Sequence, residues 1–169
     1  MNKLSEEISR WSKPPELLVF DFDGVMTDNS VLLSQDGQEF VVCSRSDGMG
    51  ISFLKKNGYR LLVLSTESNL VVSARCQKLG INCIQNVSDK FAVLSELCQS
   101  EGIRFEDVLY VCNDINDLEC LQSVGYPIVV SDSHKSVMKR QFTVTLNNGG
   151  RGAVREVADE ILRKFGPKT

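Results

Sequence analysis

The chain has 169 residues, 42% of them hydrophobic and 24% charged, with a formal net charge of −3. Those values fit one globular domain with a sizeable core. They argue against nucleic acid or an anionic membrane as the main partner, and no apolar run is long enough to span a bilayer.

Residues 1–15 read as a polar linker or appendage ahead of one domain over residues 16–169, and they carry no secretory signal. Within them Leu4 to Trp11 is expected to form a short helix, with Leu4, Ile8 and Trp11 on one face, stopped by Pro14-Pro15. Leu17-Leu18-Val19-Phe20 is a short apolar run, the pattern of a strand buried on both faces. Asp21 and Asp23 follow it, and Gly24 lets the chain turn away. Side chains two apart on an extended chain point the same way, so the two carboxylates should converge just past a strand tip. Open α/β sheets bind their ligands there. Two like charges held close need a cation or a shared proton. The pair therefore suggests a hard ion, Mg²⁺, with one carboxylate free to act as nucleophile. A plain strand-ending turn is the alternative.

Val31 to Val42 carries Asp36-Gly37 between two β-rich runs, a hairpin signal. Both of its faces bear apolar residues. Either the hairpin packs on another subunit, or one face packs on its own core while the other stays exposed; the pattern favours neither. Ser46-Asp47-Gly48 opens a helix that Asn57-Gly58 closes. Strand and helix patterns then alternate. Strands are expected at 59–64, 82–85, 108–112, 126–130 and 142–146, and helices at 69–79, from Ser88 to near Gly102, after Asp117, at 136–140 and at 153–165. Pro127 marks its strand as an edge or a strand start. This order gives a mostly parallel sheet with helices on both faces, a three-layer α/β/α Rossmann-like fold.

Polar residues punctuate the ends of these elements: Ser65 and Thr66, Lys90, and Asn113, Asp114 and Asp117. In a parallel sheet the strand C-termini share one edge, so these groups can meet Asp21 and Asp23 in one site. Together they supply a nucleophile, a second carboxylate for proton transfer, hydroxyl donors, a cation and metal ligands, an inventory suited to phosphoryl transfer through an aspartyl-phosphate. The six cysteines include no Cys-x-x-Cys pair and read as reduced thiols in an intracellular protein. His134 is the only histidine, which nearly excludes a site built from imidazoles. Lys135, Lys139 and Arg140 read as a solvated helix face, or as a weak nuclear-targeting patch.

On these residues the chain resembles the haloacid dehalogenase superfamily. Asp21-Phe22-Asp23-Gly24-Val25-Met26-Thr27 is similar to its first motif, Ser65 to the second, Lys90 to the third and Asn113 to Asp117 to the fourth. A hairpin stands in place of the usual cap domain. That hairpin, Asp47-Gly48-Met49-Gly50-Ile51 and Gly149-Gly150-Arg151-Gly152-Ala153 resemble the KDO-8-phosphate phosphatase subfamily, whose members are usually tetramers. Closer still is the resemblance to the C-terminal domain of two-domain CMP-sialic acid synthetases (N-acylneuraminate cytidylyltransferases).

The resemblance implies Asp21 as nucleophile, Asp23 as general acid and base, and Lys90 as the cation offsetting the charge of Asp21 and the phosphoryl group. It implies phosphate binding by Ser65 and Thr66, and Mg²⁺ held by Asp21, Asp23 and the fourth-motif residues Asn113, Asp114 and Asp117. Asn113 stands where the family places a metal-binding carboxylate, which implies weaker affinity. Thr66-Glu67 replaces the Gly-Arg of KDO-8-phosphate phosphatases, and Ser46 stands where they commonly have Arg. Glu67 with Lys78 resembles the branch that acts on nine-carbon sialic acid 9-phosphates. The implied partners are further copies of the chain, a homotetramer formed through the hairpin, and a cytidylyltransferase domain of the same protein. The implied compartment is the cytoplasm, or the nucleus for an animal synthetase. Two functions follow: an Mg²⁺-dependent phosphatase for a sialic acid phosphate, or a weakly active phosphatase-like domain serving tetramerisation and regulation of a synthetase.

Overall fold

The computed structural model describes residues 3–168. Its elements run α1 (Lys3–Arg10), β1 (Leu17–Phe20), β2 (Thr27–Leu33), β3 (Glu39–Cys43), α2 (Arg45–Lys56), β4 (Arg60–Leu64), α3 (Val71–Leu79), β5 (Asn82–Ile84), α4 (Lys90–Glu101), β6 (Val108–Cys112), α5 (Leu118–Ser123), β7 (Tyr126–Val129), α6 (Lys135–Met138), β8 (Thr143–Val144) and α7 (Ala153–Phe165). One six-stranded parallel sheet has the order β5-β4-β1-β6-β7-β8. The chain grows outward from β1 through β4 to β5, then returns to place β6 on the other side of β1. The C-terminal ends of β1 and β6 therefore flank the point where the winding reverses.

Alternation along each strand divides the sheet between two cores. Leu18, Phe20, Leu61, Val63, Leu109 and Val111 pack with residues of α1, α2, α3 and α7. Leu17, Val19, Leu62, Leu64, Val108, Tyr110 and Cys112 pack with residues of α4, α5 and α6. This two-sided burial explains why β1, β4 and β6 read as unbroken apolar runs. The three-layer α/β/α architecture is the one the sequence predicts. Among the described residues no cap domain is present; between β1 and α2 the only insertion is the antiparallel β2–β3 hairpin. No helix among them is long and apolar enough to cross a membrane.

The N-terminal segment differs from the sequence reading as an appendage. Leu4 and Ile8 of α1 are fully buried in the first core, and the Trp11 ring sits 4.4 Å from that of Tyr126. Arg163 and Lys164 of α7 hydrogen-bond Ser5 Oγ and the Ser9 carbonyl, and Lys13 pairs with the buried Asp107. A helix of eight residues is marginal alone, and its stability here comes from this packing. Smaller differences lie at element ends. The helix expected from Asn69 begins at Val71, whose N–H donates to Asn69 Oδ1. Pro127, read as marking an edge or a strand start, is the second residue of β7, at the start of a strand that is not the sheet's edge.

Candidate active site

Asp21 is the first residue beyond β1. Its N–H still donates to the Val111 carbonyl of β6 (2.9 Å), so the ladder fixes its backbone. Its Oδ1 accepts from the Phe22 N–H (2.7 Å) and lies 2.7 Å from Lys90 Nζ. Lys90 opens α4, behind the N-cap Asp89, and is only 3% exposed. The same Nζ lies 2.7 Å from Asp117 Oδ1, which also accepts from the Tyr110 hydroxyl (2.6 Å). A lysine buried this deeply must be paired, and here two carboxylates pair it. Burial would lower its pKa, but Asp21 and Asp117 outweigh that and leave it raised. Burial, and then the Asp117 charge, push Asp21 well above the usual carboxylate range against the pull of Lys90.

Asp23 is half-buried. Burial, then the Glu67 charge, raise its pKa; Lys90 opposes them and Glu39 adds to them. A carboxyl biased toward its protonated form suits a proton donor. The loop carrying both aspartates is held by Thr27, whose Oγ1 accepts from the Gly24 N–H (3.1 Å) and the Asn29 N–H (3.3 Å). Gly24 has a φ of +74°, and a Cβ there would overlap the Asn113 amide. Gly149 and Gly150 pack directly on this loop. The Gly150 N–H donates to the Val25 carbonyl (2.8 Å), and a Cβ on Gly149 would run into the Gly24 carbonyl. Asp47 caps α7 from α2 by accepting from the N–H groups of Arg155 (2.9 Å) and Gly152 (3.2 Å). The Asp47-Gly48 and Gly149-Gly150 motifs thus support the loop rather than face the cleft.

Asp21, Asp23, Thr66, Asn113 and Asp114 line one cleft of about 500 Å³. The structure turns Asp117 away from it. Fully buried, it serves Lys90 and Tyr110 beneath the cleft, so its expected place among the metal ligands is corrected to a contact of Lys90. The short turn Ile115–Asp117 reverses the chain between Asp114 and Asp117 and explains the division. Ser65 is 1% exposed at the tip of β4, and its Oγ accepts from the Glu67 N–H (3.1 Å), which leaves its proton to donate. Glu67 Oε1 accepts from the N–H groups of Ser68 (2.7 Å) and Asn69 (2.8 Å). Lys78 is exposed in the last turn of α3 and does not line the cleft.

Asn29 and His134 also line the cleft, though the sequence reading assigned them no role there. Asn29 has a φ of +62°, the left-handed region that asparagine tolerates better than most residues. His134 donates its N–H to the Asn113 carbonyl (2.8 Å) and caps α6 with Nδ1. Its backbone thus ties the turn after β7 to the fourth motif, a link that sequence spacing does not reveal. Among the described residues no three of His, Cys, Asp or Glu converge on one metal position. Besides the His134 imidazole, the cleft offers oxygen donors: the carboxylates of Asp21, Asp23 and Asp114 and the amide oxygen of Asn113 among them. That set fits a hard cation that keeps several water ligands.

A parallel sheet with a carboxylate at a central strand tip, 2.7 Å from a buried lysine, has the fold and charge layout of a phosphoryl-transfer hydrolase. The profile of the haloacid dehalogenase-like hydrolases matches residues 65–157, and the chain belongs to that family. Within it the chain is a phosphatase of the haloacid dehalogenase type, similar to a set of sugar-acid phosphatases. It is 34% identical over 147 residues to the 3-deoxy-D-manno-octulosonate 8-phosphate phosphatase KdsC of Escherichia coli K12, covering 86% of this chain and 78% of that one. A structure from Streptomyces avermitilis, described as an HAD family hydrolase, superposes with a TM-score of 0.85 at 46% identity, covering 90% of this chain and 86% of the other. The 3-deoxy-D-manno-octulosonate 8-phosphate phosphatase of Moraxella catarrhalis, solved with magnesium, phosphate and KDO, superposes at 0.85 with 29% identity, covering 98% and 93%.

Proposed function

We propose that the chain is an Mg²⁺-dependent phosphatase for the terminal phosphate of an ulosonic acid, with a nine-carbon sialic acid 9-phosphate as substrate. The observation that carries this reading is Asp21 at the tip of β1, 2.7 Å from the buried Lys90 and open to the cleft. Asp21 attacks phosphorus and the sugar oxygen leaves, taking the proton of Asp23. Asp23, now a base, removes a proton from water, which attacks the aspartyl-phosphate and restores Asp21 with release of phosphate. Lys90 holds Asp21 in place and has a third N–H to offer a phosphoryl oxygen. Ser65 donates its hydroxyl proton to the same group, and Thr66 adds a donor at the cleft wall. Asp21, the Asp23 carbonyl and Asn113 would hold Mg²⁺, which would supply charge neutralisation for the transferred group.

The relatives favour an ulosonic acid phosphate. Glu67, in place of arginine, favours a polyhydroxylated nine-carbon chain, since one carboxylate oxygen remains to accept from a sugar hydroxyl. A second reading has a specific observation behind it. Asn113 is uncharged, and the hairpin exposes Val31, Leu32, Leu33, Phe40 and Val42 by 52–71%. Both suit a weakly active domain that holds copies of a CMP-sialic acid synthetase together.

Turnover with Mg²⁺ of N-acetylneuraminate 9-phosphate, of KDO 8-phosphate and of simple sugar phosphates, beside Asp21→Asn, separates these readings. The first expects the nine-carbon ester to be turned over best and Asp21→Asn to abolish it. Preference for KDO 8-phosphate moves the substrate to the eight-carbon acid. Absence of turnover on every ester leaves the assembly reading.

A further inference from the structure

We infer that Tyr110 is a positioning residue of this site: its hydroxyl fixes Asp117, and through it the ammonium of Lys90 against Asp21. Tyr110 lies in the middle of β6, fully buried, with its side chain in the core shared with α4 and α5. Lys90 begins α4 and Asp117 directly precedes α5, so the phenol comes up beneath them from the strand. Its hydroxyl donates to Asp117 Oδ1 at 2.6 Å, and Lys90 Nζ lies 2.7 Å from the same oxygen and 2.7 Å from Asp21 Oδ1.

The other oxygen carries the argument. Asp117 Oδ2 is buried and has no hydrogen-bond partner. Nothing on that side sets the rotation of the carboxylate; both of its bonds are on Oδ1. Without the phenol, Lys90 alone would orient the group. The carboxylate could then swing, offer Oδ2 to Nζ and draw the ammonium off the line between Asp117 and Asp21. A fixed Lys90 matters because two of its N–H groups are committed to the aspartates and only the third is left to meet a phosphoryl oxygen. A small displacement of a group that stabilises developing charge lowers rate far more than it lowers substrate affinity. The plainer account is that a buried tyrosine merely needs an acceptor for its hydroxyl. The two accounts differ in what Tyr110→Phe does, because phenylalanine keeps the ring and its packing.

The kinetic arm rests on the phosphatase reading; the spectroscopic arm does not. Steady-state kinetics with p-nitrophenyl phosphate and Mg²⁺ would compare wild type, Tyr110→Phe, Asp117→Asn, the double variant and Tyr126→Phe. Tyr126 is the control, a second buried phenol whose hydroxyl bonds the Lys13 carbonyl away from the site. Tyr110→Phe is expected to lower kcat about tenfold to a hundredfold, the rate equivalent of one hydrogen bond to a charged group, with KM unchanged. The double variant should be no slower than Asp117→Asn, because the phenol acts only through that carboxylate. In protein labelled with ¹³C at lysine Cε, the Lys90 resonance should shift in Tyr110→Phe and stay in place in Tyr126→Phe. An unchanged kcat in Tyr110→Phe, losses that multiply in the double variant, or an unmoved Lys90 resonance would each overturn the inference. If the wild type turns over no phosphate, the phosphatase reading fails, and the Lys90 resonance alone decides the place of Tyr110.

Discussion

The proposed Mg²⁺ dependence turns on Asn113. Its amide lies against Gly24 and faces the cleft beside Asp21, where its oxygen can hold a cation but adds no charge to the donor set. Mg²⁺ gives up its water reluctantly and gains most from carboxylates. Asn113→Asp keeps the shape and adds a charge, so it should lower the Mg²⁺ concentration giving half-maximal turnover by about tenfold, a difference of roughly 1.4 kcal/mol. Equal Mg²⁺ dependence in the two proteins would show that Asn113 is not a ligand. At this scale the sequence identifies chemistry better than direction. The Asp21/Asp23 pair is legible because two carboxylates directly follow an apolar run that reads as a buried strand, although the structure holds Asp23 in a turn beyond it. Asp114 and Asp117 look equivalent in sequence, and only the turn between them sends one to the cleft and the other under Lys90. Tyr110 is hidden because an apolar strand such as Val108–Cys112 gives no hint that one hydroxyl in it has a charged partner.

At the scale of elements, two segments far apart in sequence hold the catalytic loop and the N-terminus. Gly149 sits so close to the Gly24 carbonyl that any side chain must move one backbone or the other. Gly149→Ala should therefore destabilise the fold by about 1–3 kcal/mol, as overpacking does, and also lower kcat, because the displaced strand of loop carries Asp23. A variant with the normal unfolding midpoint would refute this packing. Asp107 ties down the other end, beneath β6. The bond from Lys13, opposed by burial and aided by Arg104, lowers its pKa. A carboxyl depressed by folding contributes stability that is present above its unfolded value of about 3.9 and is lost as pH falls through the lower folded value. The gap in thermal midpoint between wild type and Asp107→Asn should hold steady near neutral pH and narrow as pH drops below that value. A gap independent of pH would remove the ion pair from the account. The strands and most helices were legible because their periodicity is what buries them. α1 is legible as a helix with Leu4, Ile8 and Trp11 on one face, but its docking is not: that depends on Tyr126 and α7, more than a hundred residues away, and a short segment looks the same whether or not such a surface awaits it.

For the whole molecule, the question is where the hairpin's apolar surface goes. The β2–β3 register pairs Val31 with Val41 and Leu32 with Phe40. Val41 packs on the first core, whereas Leu32 is 71% and Phe40 52% exposed, with Leu33 at 63% and Val42 at 58%. The register puts Leu32, Phe40 and Val42 on one face of the ribbon and Leu33 on the other, so both faces carry exposed apolar side chains, which is unusual on a monomer. The sequence pattern left packing on its own core and packing on a copy evenly weighed. The structure gives Val41 to the first and leaves the other side chains uncovered within the chain. Association of copies through the ribbon is the proposal that removes this surface from water, at about 25 cal/mol per Å² of apolar area. A homotetramer is the state that the resemblance to KDO-8-phosphate phosphatases implies, and it is the state proposed. Light scattering of the purified chain should give a mass near four protomers, and the double variant Leu32→Glu/Phe40→Glu a single protomer. Neither substitution touches Asp21, Lys90 or Asn113, so Mg²⁺ binding should survive in the variant. A monomeric wild-type chain would end the assembly proposal and leave the phosphatase reading standing. A tetramer that persists in the double variant would place the contact elsewhere on the molecule.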